Sequence, residues 1–291
     1  MKILVTGGSG QLGHEVLKLL RATTHEVVAP SRVELDLLQP ERIGAVMAQQ
    51  RPDLVINCAA YTAVDRAESE REAAFSVNRD AAGALATAVA ASGGRMLQVS
   101  TDFVFDGKQT RPYREDDATA PLGVYGSSKL AGEQAVLAAL PQAVVLRTAW
   151  VYGAHGHNFV KTMLRVAGAG KPLRVVNDQV GAPTWAADIA RVILRLIDTD
   201  ASGILHYTNA GQTSWHGFAA AILKQARALG FPVLTRAAEP IPSSGYPTPA
   251  QRPAYSVLDT GRIERLLSLD IPYWRDSLVL MLKELRACAD C

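Results

Sequence analysis

Tyr125 and Lys129 stand four residues apart in the stretch Tyr125-Gly126-Ser127-Ser128-Lys129. On a helix that spacing puts both side chains on one face. A free phenol titrates at about 10, too high to trade protons readily at neutral pH. An ammonium held beside it favours the phenolate and lowers that value. Such a tyrosine can protonate a carbonyl oxygen while hydride arrives at the carbon, and can reverse the step. The pair is common by chance when it stands alone, so its meaning depends on what the chain brings to the same place.

Two further stretches bear on that. Met96-Leu97-Gln98-Val99-Ser100-Thr101-Asp102 reads as a strand ending in two hydroxyls. In a parallel sheet that end borders the ligand crevice, where either Ser100 or Thr101 can face a substrate carbonyl; the plainer role for each is a bond to backbone. The opening, Lys2-Ile3-Leu4-Val5-Thr6-Gly7-Gly8-Ser9-Gly10-Gln11-Leu12-Gly13, reads as strand, glycine turn and helix start. Gly7, Gly10 and Gly13 let the backbone turn tightly and let a pyrophosphate approach the helix N-terminus. The stretch therefore predicts dinucleotide binding.

The rest of the cofactor expectation follows from the strand ends. After the second strand the chain reads Ala29-Pro30-Ser31-Arg32, with no acid for a ribose 2′-OH and with a base that suits a 2′-phosphate. That favours NADPH, with NADH accepted, since Glu34 lies close by. Asp36 and Leu37 can flank an adenine. The small residues Ala59 and Ala60, before Tyr61 and Thr62, leave room for a flat group.

Other polar residues invite simpler readings. The six histidines show no ligand spacing on a helix; His155-Gly156-His157 is a glycine-rich loop, and no metal site is expected. Asp65, Glu68 and Glu70 sit at a helix start, where acids suit the dipole. Trp150 and Tyr152 can stack on a ring or fill a core. Asn177-Asp178-Gln179 can bond hydroxyls, and Arg252 can hold a phosphate. Cys58 ends an apolar strand and reads as a buried thiol. Cys288 and Cys291 read as free thiols on a frayed tail rather than a redox pair or half a zinc site.

The elements must place these groups together. Strand patterns at the N-terminus, Glu26–Ala29, Asp53–Asn57, Arg95–Ser100 and Gln142–Arg147 alternate with helical ones at His14–Arg21, Pro40–Gln50, Glu70–Ser92 and Tyr125–Leu140. That alternation demands a parallel sheet with helices on both faces, an α/β fold of the Rossmann-type, doubly wound kind. From Trp150 the rhythm loosens. Helices are expected at Asn158–Ala169, Thr184–Asp198, Ser214–Leu229 and Leu278–Leu285, strands at Leu173–Val176 and Gly203–Thr208, and a loop over Pro240–Pro253. The division expected is 1–149 for the nucleotide, with parts of 184–210 returning to it, and 150–183 with 211–291 as a smaller C-terminal substrate lobe.

Composition narrows the function classes. The 291 residues carry 30 basic and 28 acidic side chains, net +2, with no charge block, so neither nucleic acid nor an anionic membrane is an expected partner. No apolar run approaches about 18 residues, and the N-terminus lacks a signal-peptide pattern. Free thiols and these features fit the cytoplasm.

Taken together, the glycine turn and Tyr125-x-x-x-Lys129 resemble the extended short-chain dehydrogenase/reductases. Within them the chain is similar to the dTDP-4-dehydrorhamnose reductase family. The similarity rests on Asn57-Cys58-Ala59-Ala60-Tyr61-Thr62-Ala63-Val64-Asp65, Ser100-Thr101-Asp102-Phe103-Val104-Phe105-Asp106-Gly107, Arg147-Thr148-Ala149-Trp150-Val151-Tyr152, Asn177-Asp178-Gln179-Val180-Gly181-Ala182-Pro183-Thr184 and Tyr246-Pro247-Thr248-Pro249-Ala250-Gln251-Arg252-Pro253. These blocks run nearly end to end.

The resemblance implies reduction of carbon 4 of dTDP-4-dehydro-L-rhamnose. It assigns the hydroxyl to Thr101, beside Tyr125 and Lys129. It puts the cofactor on Gly10, Gln11, Leu12, Asp36, Leu37, Ala60, Tyr61, Thr62, Tyr125 and Lys129. It puts the dTDP-sugar against Thr101, Asp102 and Trp150, and the substrate set expected also takes in Val64, Phe103, Asn158 and Arg252. Some members dimerise through a magnesium ion on several glutamates; Glu15 matches one such position, but near Trp185-Ala186-Ala187-Asp188 the glutamate is missing, so this chain is expected as a monomer or a homodimer. Two rival readings share the motifs. An epimerase or dehydratase of the superfamily would retain NAD, and a binding subunit like that of methionine adenosyltransferase would hold NADP without turnover.

Overall fold

A computed structural model describes the chain over residues 1–289 and its side chains over 1–287. The side chain of Cys288, and Cys291 itself, lie outside the described residues. The first half runs β1 (Lys2–Thr6), α1 (Gln11–Leu20), β2 (Glu26–Val28), α2 (Ile43–Gln50), β3 (Leu54–Asn57), α3 (Val64–Ala67), α4 (Arg71–Phe75), α5 (Ala82–Ser92), β4 (Arg95–Thr101), α6 (Val124–Ala139) and β5 (Val144–Thr148). The second half adds β6 (Val151–Tyr152), α7 (Phe159–Gly168), β7 (Leu173–Val176), β8 (Val180–Gly181), β9 (Thr184–Trp185), α8 (Ala186–Ile197), β10 (Gly203–His206), β11 (Thr213–Ser214), α9 (Trp215–Ala228), β12 (Ala238–Ile241), α10 (Gly261–Leu267) and α11 (Trp274–Ala289).

Six strands form one sheet in the order β10-β5-β4-β3-β1-β2, and every pairing is parallel. β3 and β5 are buried along their whole length, as strands covered on both faces must be. Successive residues alternate between the faces. Ile3 and Val5 pack with α1 and α8 through Val16, Ile189 and Ile193; Leu4 and Val55 pack with α2, α5 and α6 through Met47, Leu85 and Val136. Each such fully buried side chain contributes roughly 1.5–3 kcal/mol. The chain leaves β1 for β2 on one side and returns to β3 on the other, so the carboxyl ends of β1 and β3 part and open a crevice. A separate core lies among α7, α9 and α11, around Met163, Phe218, Ile222, Trp274 and Leu278.

Three stretches depart from their sequence patterns. The single helix expected over Glu70–Ser92 is interrupted at Ser76–Ala81 by a π turn. That wider turn carries the backbone of Asn78 against Gly132 of α6, where any Cβ would overlap the Asn78 carbonyl. The Pro240–Pro253 loop starts inside a strand: β12 pairs parallel with β7, and Pro240 is tolerated because β12 lies at an edge. The last helix starts at Trp274 rather than Leu278, and α10 had no expected counterpart. No helix among the described residues is long and apolar enough to cross a membrane.

Candidate active site

The crevice begins at the glycine turn. Gly7 has φ +69°, and a Cβ there would lie 2.7 Å from the amide nitrogen of Ala59. A Cβ on Gly13 would run into the carbonyl of Gly7. Gly10 enters α1 in an extended conformation, no side chain caps the helix, and its first turn holds no acid. The amides of Gln11, Leu12 and Gly13 therefore lack intrahelical partners and are free to meet an anion. Ala59, Ala60, Tyr61 and Thr62 follow β3 along the same rim.

A strap from the second half crosses this turn. Asn158 caps α7 by accepting from the Lys161 amide at 3.1 Å, while its own amide donates to Gln11 Oε1 at 2.9 Å and to the Gly153 carbonyl at 2.7 Å. His155 stacks on His14 with centroids 4.1 Å apart and approaches the Ser9 carbonyl at 3.1 Å. Asn158, expected among substrate contacts, is thus committed on both ends of its amide to holding the strap.

Beyond β2, Ser31 and Arg32 are exposed. The Ser31 amide donates to Glu34 at 2.7 Å, and this bond holds the Glu34 carboxyl below its usual range. Arg32 lies 3.8 Å from Asp36, whose side chain also accepts from the Leu38 amide. Leu37 is buried in the core beneath.

The hydroxyl question resolves by face. Ser100 turns inward and donates to Glu133 on α6. Thr101 reaches the rim: its hydroxyl donates to Asp102 Oδ1 at 3.1 Å, accepts from the Phe103 amide at 3.2 Å, and lies close enough to the Tyr125 phenol to act on its ionisation. Phe103 meets Tyr125 edge-on, centroids 5.5 Å apart. Tyr125 stands on the first turn of α6, where Gly126 allows close approach to the Phe103 carbonyl. The Val124 amide at the start of that helix is capped by Glu68 at 2.8 Å. Farther along, Asn78 ties Ser128 at 2.9 Å to both backbone polar groups of Tyr61.

The electrostatics correct one expectation. Tyr125 is not acidified: burial pushes the phenol up to about 12, the Thr101 bond pulls it down and the Asp102 charge pushes it up. Lys129 is buried and donates to the Val99 carbonyl at 2.7 Å; burial lowers its ammonium to about 8, against the pull of Glu133 and Cys58. Gln98 donates to the same carbonyl, closing a ladder that runs Thr6–Asn57–Gln98 across three strands. Cys58 is partly buried and burial pushes its thiol up to about 12, which holds it in the protonated form.

Other residues singled out by type are matched internally. Arg252 does not present a free charge to a phosphate: it grips Asp65 with two bonds of 2.9 and 2.8 Å and also bonds Thr248 and the Ala250 carbonyl. Asp65 is thereby a partner of Arg252, Glu68 a cap and Glu70 a partner of Tyr61 and Arg66, rather than a group of dipole acids. Asn177, Asp178 and Gln179 clasp Ser214 and Ser243. Trp150 adopts φ +47° and stacks on Trp215 at 3.6 Å, with Gly181 pressed on its indole. Val64 opens α3 and is partly exposed. The buried Glu133–Arg147 pair, with His206 beside it, was not among the candidates; Glu133 one turn after Lys129 was the available signal.

Magnesium does not fit within one chain. Glu15 is 3% exposed with Lys18 at 3.7 Å, and Asp188 is engaged by Arg191, Asn209 and Ser277. Among the described residues no three metal-ligating side chains converge.

The chain matches the family model described as RmlD substrate binding domain over residues 1–287. It is 44% identical to a dTDP-4-dehydrorhamnose reductase of Burkholderia thailandensis, over 98% of this chain and 99% of that one. A crystal structure of a dTDP-4-dehydrorhamnose reductase from Clostridium acetobutylicum superposes with TM-score 0.93 at 38% identity, over 98% and 100% of the two chains. One from Bacillus anthracis, in complex with NADP, gives 0.91 at 35%, over 97% and 99%. The chain belongs to this reductase family.

Proposed function

We infer that, as a member of this family, the chain reduces carbon 4 of dTDP-4-dehydro-L-rhamnose with a nicotinamide cofactor, giving dTDP-L-rhamnose. The observation that carries the assignment of roles is the Thr101 hydroxyl beside the Tyr125 phenol, at the carboxyl end of the same parallel sheet whose β1 leads into the uncapped glycine turn. When bound, the reduced nicotinamide supplies the hydride. Tyr125 then protonates the oxygen that gains charge. Burial keeps the phenol protonated in the resting site, so it gives up its proton only as the substrate oxygen becomes the stronger base. Thr101 orients the same oxygen. Lys129 holds the ribose once the dinucleotide is seated, and its ammonium then stabilises the phenolate that Tyr125 becomes.

The glycine turn with Gly7, Gly10, Gln11, Leu12 and Gly13 holds the pyrophosphate, and Ala59 to Thr62 line the path of the dinucleotide. We assign NADPH as the preferred cofactor, with NADH accepted. Arg32 is exposed and weakly paired, and Glu34 is drawn toward the Ser31 amide, which supports that preference. Val64, Phe103 and Trp150 flank the sugar, and the α7–α9–α11 core carries the lobe that covers it. The reaction belongs in the cytoplasm, where the reduced cofactor is made.

The test is oxidation of NADPH and NADH by the purified protein with dTDP-4-dehydro-L-rhamnose, beside Tyr125→Phe. The variant keeps cofactor binding and loses about 10²–10⁴ in turnover. Near-normal turnover removes Tyr125 as the acid.

A further inference from the structure

Thr101 has one hydrogen, and two groups compete for it. Orienting a ketone oxygen requires that hydrogen to point at the substrate. Instead Thr101 donates to Asp102 Oδ1 at 3.1 Å, while its oxygen is already occupied by the Phe103 amide at 3.2 Å and faces the Tyr125 phenol. With Asp102 ionised, the Thr101 donor is turned from the crevice and from the phenol alike. The hydrogen that would orient the ketone oxygen then points the wrong way.

Asp102 is itself an anomaly. Its residue is 2% exposed, and Oδ2 is buried with no hydrogen-bond partner of good geometry. An unpartnered carboxylate oxygen in such a place is costly, and adding a proton removes the cost. The groups that act on this carboxyl are the Ser256 and Thr101 hydroxyls and the Asp102 and Phe103 amides, with the Tyr125 phenol opposite; no cation is among them. Lys129 is turned to Val99. Burial dominates and pushes the Asp102 carboxyl up to about 6.

We propose that Asp102 serves as a neutral acid that donates a hydrogen bond to the Thr101 oxygen and so releases the Thr101 hydrogen toward the sugar oxygen. Asp102 is thereby a positioning residue acting through Thr101, rather than a direct sugar contact. It keeps its proton throughout: the proton gained by the product oxygen comes from Tyr125. This inference rests on the roles proposed above for Thr101 and Tyr125.

The sign follows from the form required. Neutral Asp102 is present below its pKa and lost above it, so hydride transfer slows as pH rises. In single-turnover oxidation of NADPH by dTDP-4-dehydro-L-rhamnose, the wild-type rate falls on an alkaline limb with a midpoint at or above about 6, by up to about tenfold per pH unit. Asp102→Asn presents an amide donor at every pH, so the limb moves out to the Lys129 ionisation near 8 or beyond. The limb persisting unchanged in Asp102→Asn overturns the proposal. Independently of that variant, carbon-13 NMR of aspartate-labelled protein with bound cofactor shows one carboxyl titrating in that range; ionisation of the Asp102 carboxyl complete by about pH 5 also overturns it. Active Tyr125→Phe would instead sink the proposed function, whereas inactive Tyr125→Phe with an unaltered limb in Asp102→Asn sinks this inference alone.

Discussion

Two neighbouring residues at the end of β4 lead into two buried polar clusters of different character. Ser100 joins Glu133, Arg147 and His206, where Arg147 makes bonds of 2.9 and 2.6 Å to the two carboxylate oxygens and His206 Nδ1 lies 3.1 Å from the Tyr113 carbonyl. Thr101 joins Asp102 and Tyr125, where an oxygen is left over. The first cluster is complete within the chain and locks α6 to the sheet. The second is incomplete, with the Asp102 Oδ2 oxygen buried and unpartnered. Buried polar groups that satisfy one another specify a structure; those that do not are where chemistry is to be sought.

The comparison can be broken at its strongest point. Glu133→Ala strands the Arg147 charge in a site where each partner is 2–3% exposed, and costs about 3–5 kcal/mol in a urea unfolding series. An unchanged midpoint would show that the pair does not fasten α6. His206 gives the next effect. Burial, with Arg147 nearby, depresses its imidazole to about 3 from 6.5, so the unfolded chain binds the proton and the native one does not. Stability from this group is complete above 6.5 and drains as pH falls toward 3, with a slope of up to about 1.4 kcal/mol per unit. His206→Gln flattens that slope; the same slope in the variant would assign it to other groups. The smallest change is Ser100→Ala, which leaves Glu133 held by Arg147 and costs about 1 kcal/mol in thermal unfolding without touching turnover. Loss of turnover there would blur the line between the clusters.

Local patterns in the chain sufficed for much of this. Gly7 and Gly13 announced backbone contact, and the contacts exist; Tyr125 and Lys129 announced a shared helix face, and α6 provides it. What stayed hidden is long-range. Arg252 meets Asp65 across 187 positions, and no spacing rule connects them. The choice between Ser100 and Thr101 needed the register of β4 against β5, since a one-residue slip exchanges the faces. The height of the Tyr125 pKa depended on burial and on Lys129 bonding Val99, neither visible in a four-residue interval. Gly132 inside a helix was a legible sign of close approach, but not of what approaches.

The π turn at Ser76–Ala81 sets a rule for insertions and deletions in this protein. Excising one residue there would restore regular α-helical winding and sacrifice no favourable residue type. The flanking turns would keep their phase, because the wider turn absorbs the extra residue, but the bulged backbone at Asn78 would be drawn back into the helix. Asn78 could then no longer reach Tyr61 and Ser128 together. Shortening this helix by a single position would therefore leave a well-formed helix and uncouple the dinucleotide rim from the tyrosine that serves it.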